Sequence, residues 1–312
     1  MLSLDTQTAS NFEDLTNMQF GWEFSVAQLG PNIAESSVAL YRSPRVGYSR
    51  FQFNCNYDQR LHARAGFVTF GLLEPDCPQV ALYEQVIPSN SLIVFPDEED
   101  LKAATLVGFR ASGMHFEESF LDFIAQTVHR QPLAKLLPSA GLFSLAPAKL
   151  RAIHGEFQKW RQMAEVNASN QASFVARREM SLAMAVLDGI VSAQRIEQPS
   201  LLKSEKALNL ALEFIHDGEL PDISAVDLCQ YTNSSQRSLE KAFIKRFDVT
   251  PKKYIKYLRM SRVRHELLSL GSQDCATIIE IAGVHGFWHM GQFAADYRRI
   301  YGELPSETTR RA

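Results

Sequence analysis

Ser235-Gln236-Arg237-Ser238-Leu239-Glu240-Lys241-Ala242-Phe243-Ile244-Lys245-Arg246-Phe247, followed at a short distance by Pro251, carries three large apolar residues in one stripe: Leu239, Phe243 and Phe247. Spacing of i, i+4, i+8 places all three on one face of a helix. The pattern returns 54 residues later as Phe293, Tyr297, Tyr301 and Pro305, and Leu228 in the preceding helix is answered by Ala282. A short helix, a tight turn and a second helix that buries such a stripe make a helix-turn-helix unit. The sequence contains that unit twice. Two recognition helices in one small domain predict double-stranded DNA as the partner.

The flanking text completes an all-helical region. Ser204 to His216 has Leu208, Leu212 and Ile215 on one side. Ser224 reads as an N-cap with Asp227 three residues on, opening a short helix to Tyr231. Thr232-Asn233-Ser234 forms the turn before the first recognition helix. Pro251 starts a long helix to about Leu270, apolar at Tyr254, Leu258, Val263 and Leu267, and Gly271 ends it. The second unit runs from Thr277 to Val284, turns at His285-Gly286-Phe287 and resumes from about His289 to Tyr301. The connecting helix, at ~1.5 Å per residue, spans roughly 28 Å. Successive major-groove segments on one face of DNA lie ~34 Å apart, so this rod suits two reading heads about one helical turn apart.

Charge supports the same partner. The chain of 312 residues has a formal charge of -3, but between Gln236 and Arg264 there are 10 basic residues against 2 acidic ones. From Lys203 onward the balance is 16 against 14, and before it 16 against 21. Positive charge is therefore concentrated where a phosphate backbone would lie.

Other chemistries are poorly represented. Cys55, Cys77, Cys229 and Cys275 form no C-x-x-C pair, which predicts a reducing cytoplasm and neither a zinc site nor a disulfide framework. His285 and His289 have zinc-ligand spacing, but Gly286 interrupts the helix between them, and no H-E-x-x-H occurs. Glycine-rich phosphate loops and G-x-S-x-G elbows are missing. His62 is the one histidine in the region read as strands. Asp97-Glu98-Glu99-Asp100 reads as a solvated loop. No catalytic residue, cofactor or metal is expected, and the chain is not expected to be an enzyme. Met1 to Asn17, with Asp5, Glu13 and Asp14, is not a signal peptide, and no apolar run approaches a membrane span. A cytoplasmic location is expected, with no membrane partner.

The first half reads differently. Residues 1–17 are polar and are expected to be a loose arm. From 18 to 111 the text is β-rich. Runs 37–41, 49–53, 67–70 and 91–95 are short, rich in β-branched and aromatic residues, and punctuated by Gly30-Pro31, Ser43-Pro44, Glu74-Pro75 and Pro96-Asp97. An antiparallel barrel or sandwich follows, with room for a small ligand in its mouth. Trp22, Tyr41, Tyr48, Phe51, Phe53, Arg50 and Arg64 are the weak pocket candidates: the aromatic residues are expected to pack in the core, and Arg50 and Arg64 are expected at the surface, with binding of a polar effector group as the alternative. Helices are predicted from 115 to 195: one with Phe116, Phe120, Phe123, Ile124 and Val128 inward, one from Pro147 to about Val166 with Leu150, Ile153, Phe157 and Trp160 inward, and one from Ser173 to Arg195 with Met180, Met184, Leu187 and Val191 inward. These helices either close the β-domain or form a dimer seam. Ile196 to Leu202 is the linker candidate. The predicted fold class is α+β: an effector-sensing or dimerising domain over 1–195, a linker over 196–202 and a helical DNA-binding domain with two helix-turn-helix units over 203–312.

The C-terminal block resembles the DNA-binding domain of the AraC/XylS transcriptional regulators. The family signature stands here as Ile281-Ala282, Gly286-Phe287, Phe293, Tyr297, Gly302 and Pro305, with Ser235, Arg237, Leu239, Phe243 and Thr250-Pro251 matching in the first unit. The resemblance covers about 100 residues. Val226-Asp227-Leu228-Cys229 and the run Gly286 to Tyr297 look like the ethanolamine-utilisation regulator branch, which senses ethanolamine together with adenosylcobalamin. The resemblance thus implies a ligand-responsive regulator, an activator, that works with RNA polymerase and carries a small-molecule effector, with a homodimer as one assembly. The effector residues are not identified. Control by a protein partner, a small β-barrel enzyme tethered to DNA, and a structural DNA binder without a sensor stand as the alternatives. The last makes the first 200 residues superfluous, and the barrel enzyme lacks metal ligands.

The residues that read DNA follow from the exposed faces. Opposite the first stripe lie Gln236, Arg237, Glu240, Lys241 and Lys245. Arg237, in the first turn, suits a bidentate contact to guanine. Gln236 and Glu240 suit adenine or cytosine edges, Ser235 an N-cap or a phosphate, and Lys241 and Lys245 phosphates. The second unit offers His289, Met290 and Gln292, then Arg298 and Arg299. Gln292 is the candidate base reader, His289 a phosphate ligand, and the two arginines backbone contacts. Ala295 stands where the family often has a basic residue, which makes this face sparser than the first. Trp288 either packs beneath the helix or touches the DNA edge.

Overall fold

The structure, a computed structural model, describes residues 3–9, 23–31, 35–62, 65–74, 77, 80–82, 85–88, 91–95, 101–137, 140–165, 172–197, 202–217, 223–270 and 277–310. Trp22, Arg64, the acidic run 97–100, linker positions 198–201 and Gly271 lie outside the described residues.

Two antiparallel sheets organise the N-terminal half. Their strands are β1 (Ser3–Ala9), β2 (Glu23–Gln28), β3 (Ser36–Arg42), β4 (Val46–Phe53), β5 (Tyr57–His62), β6 (Phe67–Leu73), β7 (Val80–Leu82), β8 (Gln85–Ile87), β9 (Ser91–Val94), β10 (Leu101–Thr105), β11 (Phe109–Glu117), β12 (Gly141–Ser144) and β13 (Gln194–Arg195). The larger sheet has the order β1-β3-β4-β11-β6-β9-β12-β13, the smaller one β2-β5-β10-β7-β8. Side chains alternate across each strand. On the larger sheet, Tyr41, Tyr48, Phe70, Leu72, Met114 and Phe116 face helices, while Val38, Leu40, Phe53, Leu73 and Phe109 face the smaller sheet.

The covering helices are α1 (Glu118–Ile124), continued by a π-helical turn over Ala125–His129, α2 (Leu133–Leu136), α3 (Pro147–Glu165) and α4 (Ala172–Val191). Ile153, Phe157 and Trp160 of α3 and Leu182, Val186 and Leu187 of α4 are buried against the sheet. Tyr48 stacks on Phe157 with ring centroids 4.4 Å apart. The C-terminal half comprises α5 (Lys203–Asp217), α6 (Ala225–Tyr231), α7 (Gln236–Phe247), α8 (Pro251–Ser269), α9 (Ile278–Val284), α10 (Met290–Tyr301) and α11 (Pro305–Thr308). None of the described helices is long and apolar enough to cross a membrane.

Four expectations need correction. Ser3–Ala9 is not a loose arm: it is an edge strand paired from Ser3↔Arg42 to Ala9↔Ser36. Its polar, threonine-containing text hides it, because the ladder satisfies backbone groups whatever the side chains are. Strand structure also persists beyond residue 111. His115 and Phe116 pair with Gly47 and Val46 on one side and Thr69 and Val68 on the other, so the helix begins only at Glu118. Phe123 and Val128 are exposed, while Phe120, Leu121 and Ile124 are buried. The π-helical turn shifts the phase of the face before Val128. Third, α4 buries Val175, Leu182, Ala183, Val186, Leu187 and Ile190, while Met180 and Val191 are exposed. Its buried face includes the charged Glu179, which accepts hydrogen bonds from Arg45 at 2.9 and 2.5 Å, so apolar periodicity misplaced the stripe. Finally, β12 and β13 lie inside the stretch read as helical and extend the larger sheet.

His115 therefore joins His62 among the strand histidines. Its ring is buried and hydrogen-bonds Thr69 at 3.1 Å. Burial, with the nearby Arg42 charge, pushes its pKa down to about 3. The unfolded chain then binds a proton that the folded chain does not. The stability this contributes is complete above the unfolded pKa of 6.5 and is lost as pH falls toward about 3. The His115 contribution should be about 2 kcal/mol smaller at pH 5 than at pH 7. Urea titrations at the two pH values check this, and His115→Gln should flatten the difference.

Candidate nucleic-acid interface

Both helix-turn-helix units begin with a capping box. Ser224 and Asp227 satisfy each other's backbone groups at the start of α6, and Thr277 and Glu280 do so at α9. Those hydrogen bonds hold the Asp227 and Glu280 carboxyls below their usual range. The caps stand 53 residues apart, whereas α7 and α10 start 54 apart, at Gln236 and Met290. By position after the cap, Leu228 corresponds to Ile281 rather than to Ala282, and both are buried. Each turn has one left-handed residue, Asn233 (φ 48°) and Gly286 (φ 79°), again 53 apart. The extra residue of the second turn therefore falls within Phe287-Trp288-His289.

The first recognition helix, α7, buries Leu239, Ala242, Phe243 and Phe247. Phe243, Phe247 and Tyr254 form an aromatic cluster with centroids 4.8–5.9 Å apart. Ser235 caps the helix by accepting from the Ser238 N–H at 3.2 Å. Gln236 donates to Glu240 at 3.0 Å, so these two side chains brace each other across one turn. Arg237 and Lys241 are exposed and have no partner among the described residues. Lys245 is exposed too, but it donates to Glu205 of α5 at 3.0 Å, and that bond holds the Glu205 carboxyl below its usual range. Of the exposed groups that begin this face, Arg237 is the one with full freedom.

The second recognition helix, α10, is organised by Asp296. This carboxylate is buried and accepts from Lys256 at 2.5 Å, Arg299 at 2.8 Å and Gln292 at 2.9 Å. Burial alone would raise its pKa; the Lys256 and Gln292 hydrogen bonds and the two cations outweigh it and hold the carboxyl low. Gln292 and Arg299 are thus anchored within the protein. Met290 is half-buried against the core. His289 occupies the N-cap position without a side-chain cap bond and is exposed, as is Arg298. Trp288 does not pack beneath the helix: it is 78% exposed.

The connecting helix α8 has 19 residues, as its spacing predicts, and grips both units. Tyr254 enters the first aromatic cluster. Lys256 holds Asp296, and two turns later the fully buried Arg264 donates to Glu303 at 2.7 Å and to Tyr297 at 3.2 Å. Its guanidinium also lies 4.5 Å from the Tyr301 ring centre.

The smaller sheet separates this helical domain from a cavity. Leu101, Ala103 and Thr105 of β10 and Gln59 and Leu61 of β5 line the cavity between the sheets, which encloses about 570 Å³ including its open mouth. Its walls are almost wholly apolar, with small residues Gly71, Ala103, Ala111 and Gly113 leaving the space. Gln59 donates to Thr105 at 2.8 Å as an internal polar pair. Phe51 and Phe53 line it as well, whereas Tyr41 and Tyr48 lie on the far face of the sheet. Arg50 is committed to Glu74 at 2.5 and 2.9 Å.

The opposite face of β5 and β10 meets the helical domain. Asp58 accepts from the buried Tyr254 hydroxyl and lies 3.6 Å from His216. Ala27, Leu29 and Ala104 join the helical core. Asn56 donates to the Phe247 carbonyl at 3.2 Å and Gln28 to the Ile300 carbonyl at 2.9 Å. The C-terminal ends of α7 and α10 are thus both held by the β-domain. A second pocket of about 560 Å³ at this seam is lined by Asp58, Arg60, Lys102, Glu213, His216 and Arg246 among others. Lone polar residues on strands gave no sequence signal for these contacts.

A family model described as a helix-turn-helix domain matches residues 228–311. The XylDLEGF operon transcriptional activator of Pseudomonas putida is 36% identical over 108 residues, 35% of this chain and 33% of that protein. The XylDLEGF operon transcriptional activator 2 of Pseudomonas putida is 31% identical over 116 residues, 37% of this chain and 73% of that one. The crystal structure of the AraC-like transcriptional activator CuxR aligns with a TM-score of 0.42 at 11% identity, covering 83% of this chain and 94% of that chain. The chain spans about a third of the length of the first of these relatives.

Proposed function

The chain belongs to the AraC/XylS family of helix-turn-helix transcriptional regulators, and from that premise we infer that it is a sequence-specific DNA-binding regulator, an activator controlled through its N-terminal half. The observation that carries this is the pair of capped helix-turn-helix units held on one rigid helix, with the uncommitted Arg237 at the start of the first reading face. The two units bind double-stranded DNA, and Arg237 and Lys241 lead the contact. Ser235, Gln236, Glu240, Lys245, His289, Gln292, Arg298 and Arg299 support it; Met290 mainly packs the core. RNA polymerase is the partner an activator requires. Residues 1–195 sense the effector, 196–202 link, and 203–312 bind DNA; a homodimer would present four heads.

The effector is a small molecule. The cavity between the sheets has no carboxylate for an ammonium group and suits an apolar moiety. Ethanolamine, the ligand of the regulator branch that the run Gly286 to Tyr297 resembles, would, of these two pockets, find carboxylates only in the seam pocket, at Asp58 and Glu213, beside the basic Arg60, Lys102 and Arg246. Thermal shift of the full chain with ethanolamine, adenosylcobalamin and both together tests that branch: binding raises the melting temperature with concentration. A flat response to all three removes it.

Arg237→Ala should cost about 1–3 kcal/mol on a selected duplex and relax discrimination at one base pair. Lys241→Ala should weaken all duplexes alike and lower the log–log salt slope by about 0.9. Gel shifts across a salt series read both effects. Equal loss on every sequence for Arg237→Ala would demote it to a phosphate contact.

A further inference from the structure

We propose that Trp288 is a specificity-determining contact of the second unit, placing its ring against a thymine methyl group in the major groove; the proposal rests on the DNA-binding reading above. Three observations converge on it. Trp288 is 78% exposed, more than any other large apolar side chain among the described residues. Ile279 at 65% and Val284 at 66% are exposed in the same unit, and apolar side chains left in water together mark a contact surface. It stands in the turn that is one residue longer than its counterpart, immediately before the N-cap His289, where a groove-entering helix meets base edges. Its orientation is also restricted: the ring edge lies 3.7 Å from where a Cβ on Gly283 would be, so it leans on the backbone of α9.

The rest of the face explains why this ring would lead. Gly291, Gln292, Ala295 and Arg298 continue the exposed ridge of α10 from Trp288. Gln292 is bonded to Asp296. Gly291 has no heavy atom within 4 Å of its Cβ position, and Ala295 adds only a methyl. The ridge is hollow in the middle, with Trp288 tall at one end and Arg298 at the other. A hollow centre lets the helix approach the groove floor, and an apolar group at the leading end reads thymine through its methyl. Arg298, one to two turns further along, then falls near the backbone.

The probe is a duplex enriched by the full-length protein from a randomised 30-base-pair pool, on the order of the span that two grooves require. In a Trp22→Phe background, adding it should change the tryptophan emission, and Trp288→Phe should abolish that change, since Trp160 is buried. Trp288→Ala should keep the wild-type melting temperature and lose affinity for this duplex on the order of tenfold, the cost of one mismatched pair. Replacing thymines singly by deoxyuridine should weaken wild-type binding at one position and leave Trp288→Ala indifferent there. Gly291→Leu, filling the hollow, should fold normally and bind the duplex more weakly. Unchanged emission, or equal affinity of Trp288→Ala and wild type with no deoxyuridine effect, overturns the proposal while leaving the DNA-binding reading intact. A pool that yields no enriched duplex overturns that reading, and the proposal with it.

Discussion

Arg264→Ala lowers the stability of the helical domain by about 3–5 kcal/mol, because it empties a fully buried site and takes the cation from the part-buried Glu303. Arg264 is fully buried on α8 and joins three elements: Tyr297 in α10, Glu303 beyond it and, at 3.4 Å, Thr308 in α11. Thr308 is itself fully buried and donates to Glu303 at 2.8 Å. Removing the guanidinium takes the Arg264 charge from Glu303, which keeps the Thr308 hydroxyl, and removes the group stacked beside Tyr301. Arg264→Met keeps much of the volume and still takes the charge from the acid, so it should recover little. The double change Arg264→Met with Glu303→Leu should be less damaging than either single change, since an apolar pair often replaces a buried ion pair at little cost. Denaturant titration measures all three. Because α11 and the end of α10 lose this tie to α8, with Lys256–Asp296 remaining, the footprint on DNA should also weaken over the groove segment that the second unit covers. A single variant within 1 kcal/mol of wild type would sink the assignment of Arg264 as the anchor of the second unit.

The helical half was legible because its rules are local. Apolar residues at i, i+4 and i+8, Ser224 and Thr277 as caps, Pro251 at the start of α8 and one left-handed residue per turn all act over a few positions. What escaped there was the one-residue difference between the turns. A repeat aligned on Phe243 and Tyr297 forces Leu228 onto Ala282, while the caps place it with Ile281. In the β-domain the text showed strands but not their partners. β1 is polar apart from Leu4 and Ala9, β11 carries on through His115 and Phe116 where the text turns helical, and α4 hides its face behind Glu179 and Arg45. Of the reading residues, exposure follows the helical wheel, yet commitment does not. Lys245, Gln292 and Arg299 lie on the expected faces. Lys245 is held by Glu205, forty residues away, which no periodicity announces. Gln292 and Arg299 pair with Asp296 at helical spacing, but it is Lys256 of α8, brought in by the tertiary fold, that fixes this carboxylate.

Asp58→Lys should undock the two domains. Asp58 receives the hydroxyl of Tyr254, which burial and then the Asp58 charge keep protonated far above the ordinary tyrosine range, so the donor persists at any physiological pH. Around it the seam is basic: Arg60, Lys102, Arg246 and His216 against Glu213. A lysine there removes the acceptor of a buried hydroxyl and adds another positive charge among four basic groups. Like-charge juxtaposition at an interface costs several kcal/mol. The ties of Asn56 to Phe247, Gln28 to Ile300 and Ser261 to the Val26 carbonyl are single neutral hydrogen bonds, and beside them the side chains of Ala27, Leu29 and Ala104 supply the apolar contact; these do not offset that loss. Two of those ties hold the C-terminal ends of the recognition helices, while strands β5 and β10 behind them line the apolar cavity. The smaller sheet therefore has the apolar cavity on one side and, on the other, α7 against β10 and Asn56, and α10 against Gln28 of β2. Calorimetry should show one unfolding transition for the wild type and two for Asp58→Lys, with proteolysis newly permitted near 196–202. A ligand that raises the melting of the β-domain should then stop raising that of the helical domain, because the route between them is cut. If the variant unfolds in one transition and ligand still shifts the whole of it, coupling does not run through this seam.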